Sequence, residues 1–523
     1  MYRLLPVALL LVSLAALVAG TRELKQEGNL WALLIAGSAG YGNYRHQADV
    51  AHAYQVLRRG GIKEDHIVVM MADDIVDNPA NPYPGQLFNR PHGPDVYEGV
   101  PIDYSHSEVT AANFLKVLAG DAADAPARSP HSNGRVIASG AADKVFVYYS
   151  DHGAPGVVGM PSGPFLYADQ LHGVVSNKSR AGGFEEMVIY LEACESGSMF
   201  EGLLEDDLSV YATTAANGHE SSWGTYCPGM VPAAPVEFGT CLGDLYSVAW
   251  MENADHADLT IETLKKQFQV VKARVSRNFT YTQGSHVMRF GTFTIAEEVA
   301  AEFMGFQNTG DGLEAAAAGA APLDAEGAGA VPWSRLGAVP QREADLVPLY
   351  FRYQTAEAGA AKAAALQQLE AEVSRRSQLD GSVQAAVQQL LARPDTLTLL
   401  RSKYGQQLGP ELSLGAGAGA AGAGFADVAG LAELLVGGEL PRPAGAALVD
   451  DWDCLRAMVA AWEGACGQLD QYGMRHTRAF ANLCNAGLQP DTLHGSALQA
   501  CGGGVAPARL ARGGPDAQLV AAQ

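Results

Sequence analysis

Short apolar runs punctuate the first three hundred residues: LWALLIAG at 30–37, HIVVMM at 66–71, KVFVYYS at 144–150, MVIYLEAC at 187–194 and LSVYATT at 208–214. Each is four to eight residues of β-branched, aromatic and aliphatic side chains bounded by polar or glycine-rich turns, the pattern of strands buried on both faces. Between them lie helical patterns such as HQADVAHAYQVLRRGG at 46–61, which closes on a glycine stop. Strand–helix alternation of this kind predicts an α/β domain with a mainly parallel sheet covered by helices, running to about residue 304. The pattern then changes twice. Residues 311–331 are an alanine/glycine tract that reads as a linker, and beyond about Leu346 the periodicity is helical, as in AAKAAALQQLEAEVSRR and DGSVQAAVQQLLA. A second alanine/glycine tract occupies 415–424, and residues 450–501 read as a small helical unit holding four cysteines.

Composition sharpens this outline. A chain of 523 residues is long enough for two or three domains. Thirty-five basic against fifty-seven acidic residues give a net charge of −22 without a dense Lys/Arg cluster, which argues against a nucleic-acid partner. The first twenty residues, MYRLLPVALLLVSLAALVAG, read as a secretory signal peptide, and no later stretch is long and apolar enough to predict a membrane span. Secretory routing fits two N-glycosylation sequons, at Asn177 and Asn278. Seven cysteines in an oxidising compartment leave at least one thiol unpaired.

Chemistry concentrates where the strand runs end. KVFVYYS runs into Asp151-His152-Gly153, MVIYLEAC ends on Cys194, and LWALLIAG leads to Gly42-Asn43-Tyr44-Arg45-His46. Ligands of open parallel sheets bind beyond the carboxyl ends of the strands, so these three groups are expected to converge. A thiolate at Cys194 can attack a carbonyl while His152 moves the protons. Backbone N–H groups near Gly153 and Cys194 can hold the oxyanion.

The motifs GNYRHQADV, YYSDHG, EACESGSM, VYATTAANGHESSWGTYCPG and CLGDLYSVAWMEN, with QREADL and VDDWDCL further on, resemble the legumain (vacuolar processing enzyme, asparaginyl endopeptidase) family of cysteine peptidases, plant-type, across almost the whole chain. The resemblance implies a caspase-like, mainly parallel sheet flanked by helices, followed by an all-α C-terminal prodomain. It implies a layout of signal peptide (1–20), short N-terminal propeptide (21–27), peptidase domain (28–307), linker and activation segment (308–345) and prodomain (346–523). Cys194 is then the nucleophile, His152 the base, and Asn43 the residue that orients the histidine. Arg45, His46, Glu192, Ser222 and Asp244 take the positions of a polar pocket for an asparagine side chain. Aspartate is expected to enter that pocket more readily as pH falls, because its protonated form mimics the amide. The resemblance further implies the bridges Cys227–Cys241, Cys454–Cys484 and Cys466–Cys501, although four C-terminal cysteines by themselves allow three pairings.

Gln341 is expected to sit in the pocket of the zymogen without being cut, with self-cleavage at Asn308, Asp311 or Asp324 in the linker. The expected partners are protein and peptide substrates with exposed Asn or Asp, and the chain's own prodomain as inhibitor. The family pattern calls for no metal and no cofactor. The compartment implied is an acidic vacuole or lysosome, or secretion. Two alternatives stand beside hydrolysis: transpeptidation from the same acyl-enzyme, and an inactive storage or binding relative.

Overall fold

The computed structural model of the chain describes residues 28–305, 337–404, 425–438 and 440–502. The segment read as signal peptide and propeptide, the residues Asn308, Asp311 and Asp324, and the tract 415–424 lie outside them.

Six strands form the central sheet: β1 (Leu30–Ala36), β2 (Ile67–Met70), β3 (Lys144–Ser150), β7 (Glu186–Glu192), β8 (Val210–Thr214) and β11 (Met288–Gly291). Their order is β11-β8-β7-β3-β1-β2, parallel except for β11 at one edge. The continuous apolar runs are explained by cover on both faces. Alternate residues of each central strand point into separate cores: Ala32, Leu34, Phe146, Tyr148, Val188 and Tyr190 to one side, Leu33, Ile35, Val147, Ile189 and Leu191 to the other. On the first side pack helices α1 (Tyr44–Arg59), α4 (Leu245–His256) and α5 (Leu264–Val275). On the second pack α2 (Ala111–Ala119) and α3 (Ala168–Arg180). Trp250 of α4 anchors the first core edge-on against Phe146, Tyr148 and Tyr190, the arrangement that ring quadrupoles favour. The short helix α6 (Ala301–Met304) closes this unit. Gly60 after α1 is required by contact, since a Cβ there would lie 1.9 Å from the Met304 carbonyl oxygen.

Two small three-stranded sheets sit at the carboxyl ends of the central strands. One is β4 (Gly153–Ala154), β5 (Val157–Val158) and β6 (Leu166–Tyr167). The other is β10 (Gly243–Asp244), β9 (Trp223–Thr225) and β12 (Ala338–Pro340). β12 belongs to the stretch read as linker and activation segment, yet it pairs antiparallel with β9 through Ala338–Thr225, Val339–Gly224 and Pro340–Trp223.

The rest of the described chain is helical: α7 (Leu346–Thr355), α8 (Ala360–Leu391), α9 (Pro394–Tyr404), α10 (Phe425–Gly437), α11 (Trp452–Cys466), α12 (Thr477–Ala486) and α13 (Pro490–Ala500). α8 runs unbroken through Asp380-Gly381-Ser382 and joins the two stretches whose periodicity reads as helical. Disulfides Cys454–Cys484 and Cys466–Cys501 tie α11 to α12 and to the end of α13. With sequence separations of 30 and 35 residues, each stabilises the folded unit by roughly 3–4 kcal/mol on the chain-entropy model. One hydrophobic cluster joins this helical unit to the α/β unit, with Ala154, Val157, Phe165 and Tyr167 packed among Val449, Leu455, Trp462 and Phe480. No helix among the described residues is long and apolar enough to cross a membrane.

Candidate active site

β3, β7 and the turn after β1 deliver their polar ends to one place. Asn43 occupies the N-cap position of α1, where a side chain usually satisfies a free helix N–H, but it makes no such bond. Its Oδ1 instead lies 2.7 Å from His152 Nε2, and its Nδ2 donates to the Ala39 carbonyl at 2.8 Å and to Gln471 Oε1 at 2.7 Å. With Asn43 Nδ2 spent on two acceptors, Oδ1 is left to accept. That assigns the proton to His152 Nε2 and the lone pair to Nδ1. Burial, then Arg45, Arg342 and Arg376, hold the His152 imidazole well below its usual pKa.

Cys194 follows β7 and is the free cysteine among the described residues; Cys227 and Cys241 are bonded to each other. It is buried, and burial pushes its thiol up, opposed by the charge of Arg342. The imidazole and thiol are thus both neutral in this form. After Cys194 the chain turns sharply: Glu195 takes the left-handed conformation at φ 47°, and the Ser196 hydroxyl clamps the turn against the backbone of Ala216. Gly153 is dictated by approach, because a Cβ there would fall 2.2 Å from the Cys194 carbonyl oxygen.

Beside the thiol is a polar pocket built mainly from the first turn of α1. Arg45 Nε donates to Asp244 Oδ1 at 3.0 Å and its Nη1 to the Gly42 carbonyl at 3.2 Å. His46 Nδ1 lies 2.6 Å from Ser38 Oγ, and burial keeps this ring neutral. Glu192 Oε2 accepts from the backbone N–H and hydroxyl of Ser247, both at 3.0 Å. Behind these stands Asp49, one α1 turn beyond Arg45, accepting from Asn89 Nδ2 at 2.6 Å and Ser150 Oγ at 3.1 Å. Burial raises the pKa of Asp49, Glu192 and Asp244 alike, and each is raised further by a neighbouring carboxylate or held back by Arg45. Three fully buried atoms, Arg45 Nη2, Glu192 Oε1 and Asp244 Oδ2, have no hydrogen-bond partner among the described residues. One donor and two acceptors are the complement of a primary amide.

β12 leads Gln341 into this site. Its backbone N–H donates to the Ser222 carbonyl at 2.9 Å, extending the β9–β12 ladder by one step. Its side-chain Nε2 donates to the Asp151 carbonyl at 2.9 Å and lies 3.1 Å from His46 Nε2, while Oε1 is 3.3 Å from Cys194 Sγ. Ser222 Oγ completes the surroundings of the thiol at 3.8 Å. The helical unit seals the arrangement. Arg376 of α8 donates to the Arg342 carbonyl at 2.9 Å and pairs with Asp345 and Glu372, and Gln471 and Tyr472 cover His152 and Arg376.

Every residue singled out for catalysis or the pocket therefore lies in this one region: Asn43, Arg45, His46, His152, Gly153, Glu192, Cys194, Ser222, Asp244 and Gln341. Glu192 differs in detail from the expected contact, since Ser247 engages one of its oxygens and its own burial perturbs it strongly. Sequence reasoning missed Ser38, Asp49, Glu195 and Gln471. For Asp49 a signal existed, its spacing of four from Arg45 on a helix. The side chains of Asn177 and Asn278 are exposed.

Residues 30–306 match the Peptidase C13 family, and residues 438–501 match the legumain prodomain. The vacuolar-processing enzyme beta-isozyme of Arabidopsis thaliana is 46% identical over 478 residues, 91% of this chain and 87% of that one. The legumain of Canavalia ensiformis is 42% identical over 477 residues, 91% of this chain and 89% of that one. Among solved structures, caspase-1 from Spodoptera frugiperda aligns with 10% identity and a TM-score of 0.31, over 54% of this chain and 94% of that one.

Proposed function

The chain belongs to the peptidase C13 family and carries a legumain prodomain, which makes it a cysteine-type endopeptidase in zymogen form, and from that premise we propose that Cys194 is its nucleophile and that it cleaves after asparagine. The observation that carries the specificity is the buried set of one unsatisfied donor and two unsatisfied acceptors, Arg45 Nη2 with Glu192 Oε1 and Asp244 Oδ2. An asparagine carbonyl oxygen accepts from the first and its NH₂ donates to the others. A site that leaves such groups unpaired rejects apolar side chains strongly, because their burial is then uncompensated.

In this reading His152 Nδ1 takes the Cys194 proton as sulfur attacks the carbonyl carbon. Asn43 holds the ring by its other nitrogen and favours the imidazolium that results. N–H groups of Gly153 and Cys194 receive the oxyanion. The tetrahedral intermediate collapses by breaking the C–N bond, and the amine leaves with the proton from His152. Water, deprotonated by the same imidazole, then cleaves the thioester. Gln341 supports inhibition by mimicry: it enters on a β-ladder as an extended peptide substrate would, but its amide engages His46, Asp151, the Asp244 carboxylate and the Cys194 thiol without reaching a bond to Arg45 Nη2. Release by self-cleavage in the stretch holding Asn308, Asp311 and Asp324 follows from the same specificity. The names of the relatives support a vacuole-like compartment.

The test is a peptide-library digest at acid and neutral pH with the processed enzyme and with a Cys194→Ser variant freed of its prodomain by native enzyme that is then removed. Cuts should fall after Asn, joined by Asp at acid pH, and the variant should make none while keeping a native circular dichroism spectrum. A natively folded variant that still cuts would remove Cys194 from the mechanism.

A further inference from the structure

Arg342, the residue after Gln341, occupies a socket of its own beside the thiol. Its guanidinium donates from Nη1 to Glu195 Oε1 at 3.0 Å and Ser221 Oγ at 3.1 Å, and from Nη2 to Glu195 Oε2 at 2.5 Å and the Gly153 carbonyl at 3.0 Å. A bidentate carboxylate flanked by two neutral acceptors matches the planar fork of a guanidinium. Three of the four acceptors come from the residues next to Cys194 and His152 in sequence, so the socket adjoins the bond under attack. It lies on the leaving-group side, because Gln341 fills the acyl side.

All the atoms of the socket belong to the peptidase domain, whereas both cations on Glu195 belong to segments that the peptidase loses with its prodomain. The second cation is Arg478 of α12, 3.8 Å from Glu195 Oε1. Glu195 is only 5% exposed. That value holds with both cations seated on it; their departure uncovers the carboxylate and leaves it unpaired beside Ser221 and the Gly153 carbonyl, so the processed enzyme presents an anionic acceptor that a substrate cation can satisfy. The same cation offsets the charge of Glu195 beside the sulfur, and among the influences on the Cys194 thiol the Arg342 charge favours the thiolate while Glu195 opposes it.

We infer that Glu195, Ser221 and the Gly153 carbonyl form a subsite for an arginine side chain immediately after the scissile bond, so that Asn-Arg sequences are preferred substrates. The inference rests on cleavage after asparagine by this site. It deepens that reading by naming the neighbouring residue.

The experiment uses enzyme processed from the full chain and three peptides identical except after Asn, where they carry arginine, citrulline or alanine. Citrulline keeps the shape and removes the charge. The kcat/KM for arginine should exceed that for citrulline on the order of tenfold, as expected for losing a charge-assisted pair, and in Glu195→Gln enzyme the two should converge. Equal rates for all three in native enzyme would overturn the subsite while leaving cleavage after Asn intact. Failure to cut any of them would overturn the underlying reading and the subsite with it. An arginine preference that survives Glu195→Gln would refute the assignment to Glu195. Should that variant not fold, the arginine-to-citrulline ratio of the native enzyme decides by itself.

Discussion

Asp49 shows how the pocket's chemistry extends past the residues that touch a substrate. With Glu192 and Asp244 it makes a cluster of three fully buried carboxyls, of which Asp244 pairs with Arg45, with His46 held neutral. Their pKa values are raised, chiefly by burial, above the roughly 4 of an unfolded carboxyl. The folded state therefore binds more protons than the unfolded state from about pH 4 upward. The stability these groups contribute is full below that pH and is lost as pH rises through their folded pKa values. Asp49→Asn removes one such group while keeping an acceptor and a similar shape. The melting temperature of the variant relative to the native proenzyme should thus climb between pH 4 and pH 7; parallel curves would show that Asp49 carries no excess proton. The proposed catalytic pair, His152 and Cys194, could be singled out because each lies just past the end of an apolar strand, with polar and glycine residues following. Asp49, Ser38 and Glu195 were not, because a polar residue in a helix or turn has the same sequence pattern whether it faces water or a buried partner.

At the scale of elements, the long apolar strands announce themselves, while β4, β5, β6 and β12 do not. Two- and three-residue strands carry no period, and their pairing is decided by partners far along the chain. α8 is the opposite case, since its helical pattern was legible although Gly381 lies inside it. A glycine in a helix interior costs only about 1 kcal/mol against alanine. The burial of Val383, Ala386, Val387, Leu390 and Leu391 on one face outweighs that cost. Gly381 is exposed, and a Cβ there would meet nothing within 4 Å. Gly381→Ala should accordingly stabilise the helical unit by about 0.5–1 kcal/mol, measured by urea unfolding of the proenzyme in a Cys194→Ser background. A destabilised variant would mean that α8 needs the freedom of glycine there.

In the whole molecule the helical unit is both a lid and a ligand. It buries an apolar face of the β4–β5–β6 sheet, brings Gln471 onto Asn43, and fixes the Gln341–Arg342 segment through Arg376. The two-unit layout was readable from the switch in periodicity and the linker tract. The way the segment before α7 threads the site was visible only as a family resemblance at Gln341, because docking between units leaves no local pattern. If the segment occupies the site, the Cys194 thiol is unreachable in the proenzyme and reachable once the prodomain is gone. The most direct measurement is labelling by a peptide electrophile carrying asparagine at its reactive end, applied to proenzyme and processed enzyme and located by mass spectrometry. One adduct is expected, on Cys194, formed rapidly in processed enzyme and not in intact proenzyme. Equal labelling of both forms, or an adduct on any other residue, would contradict it.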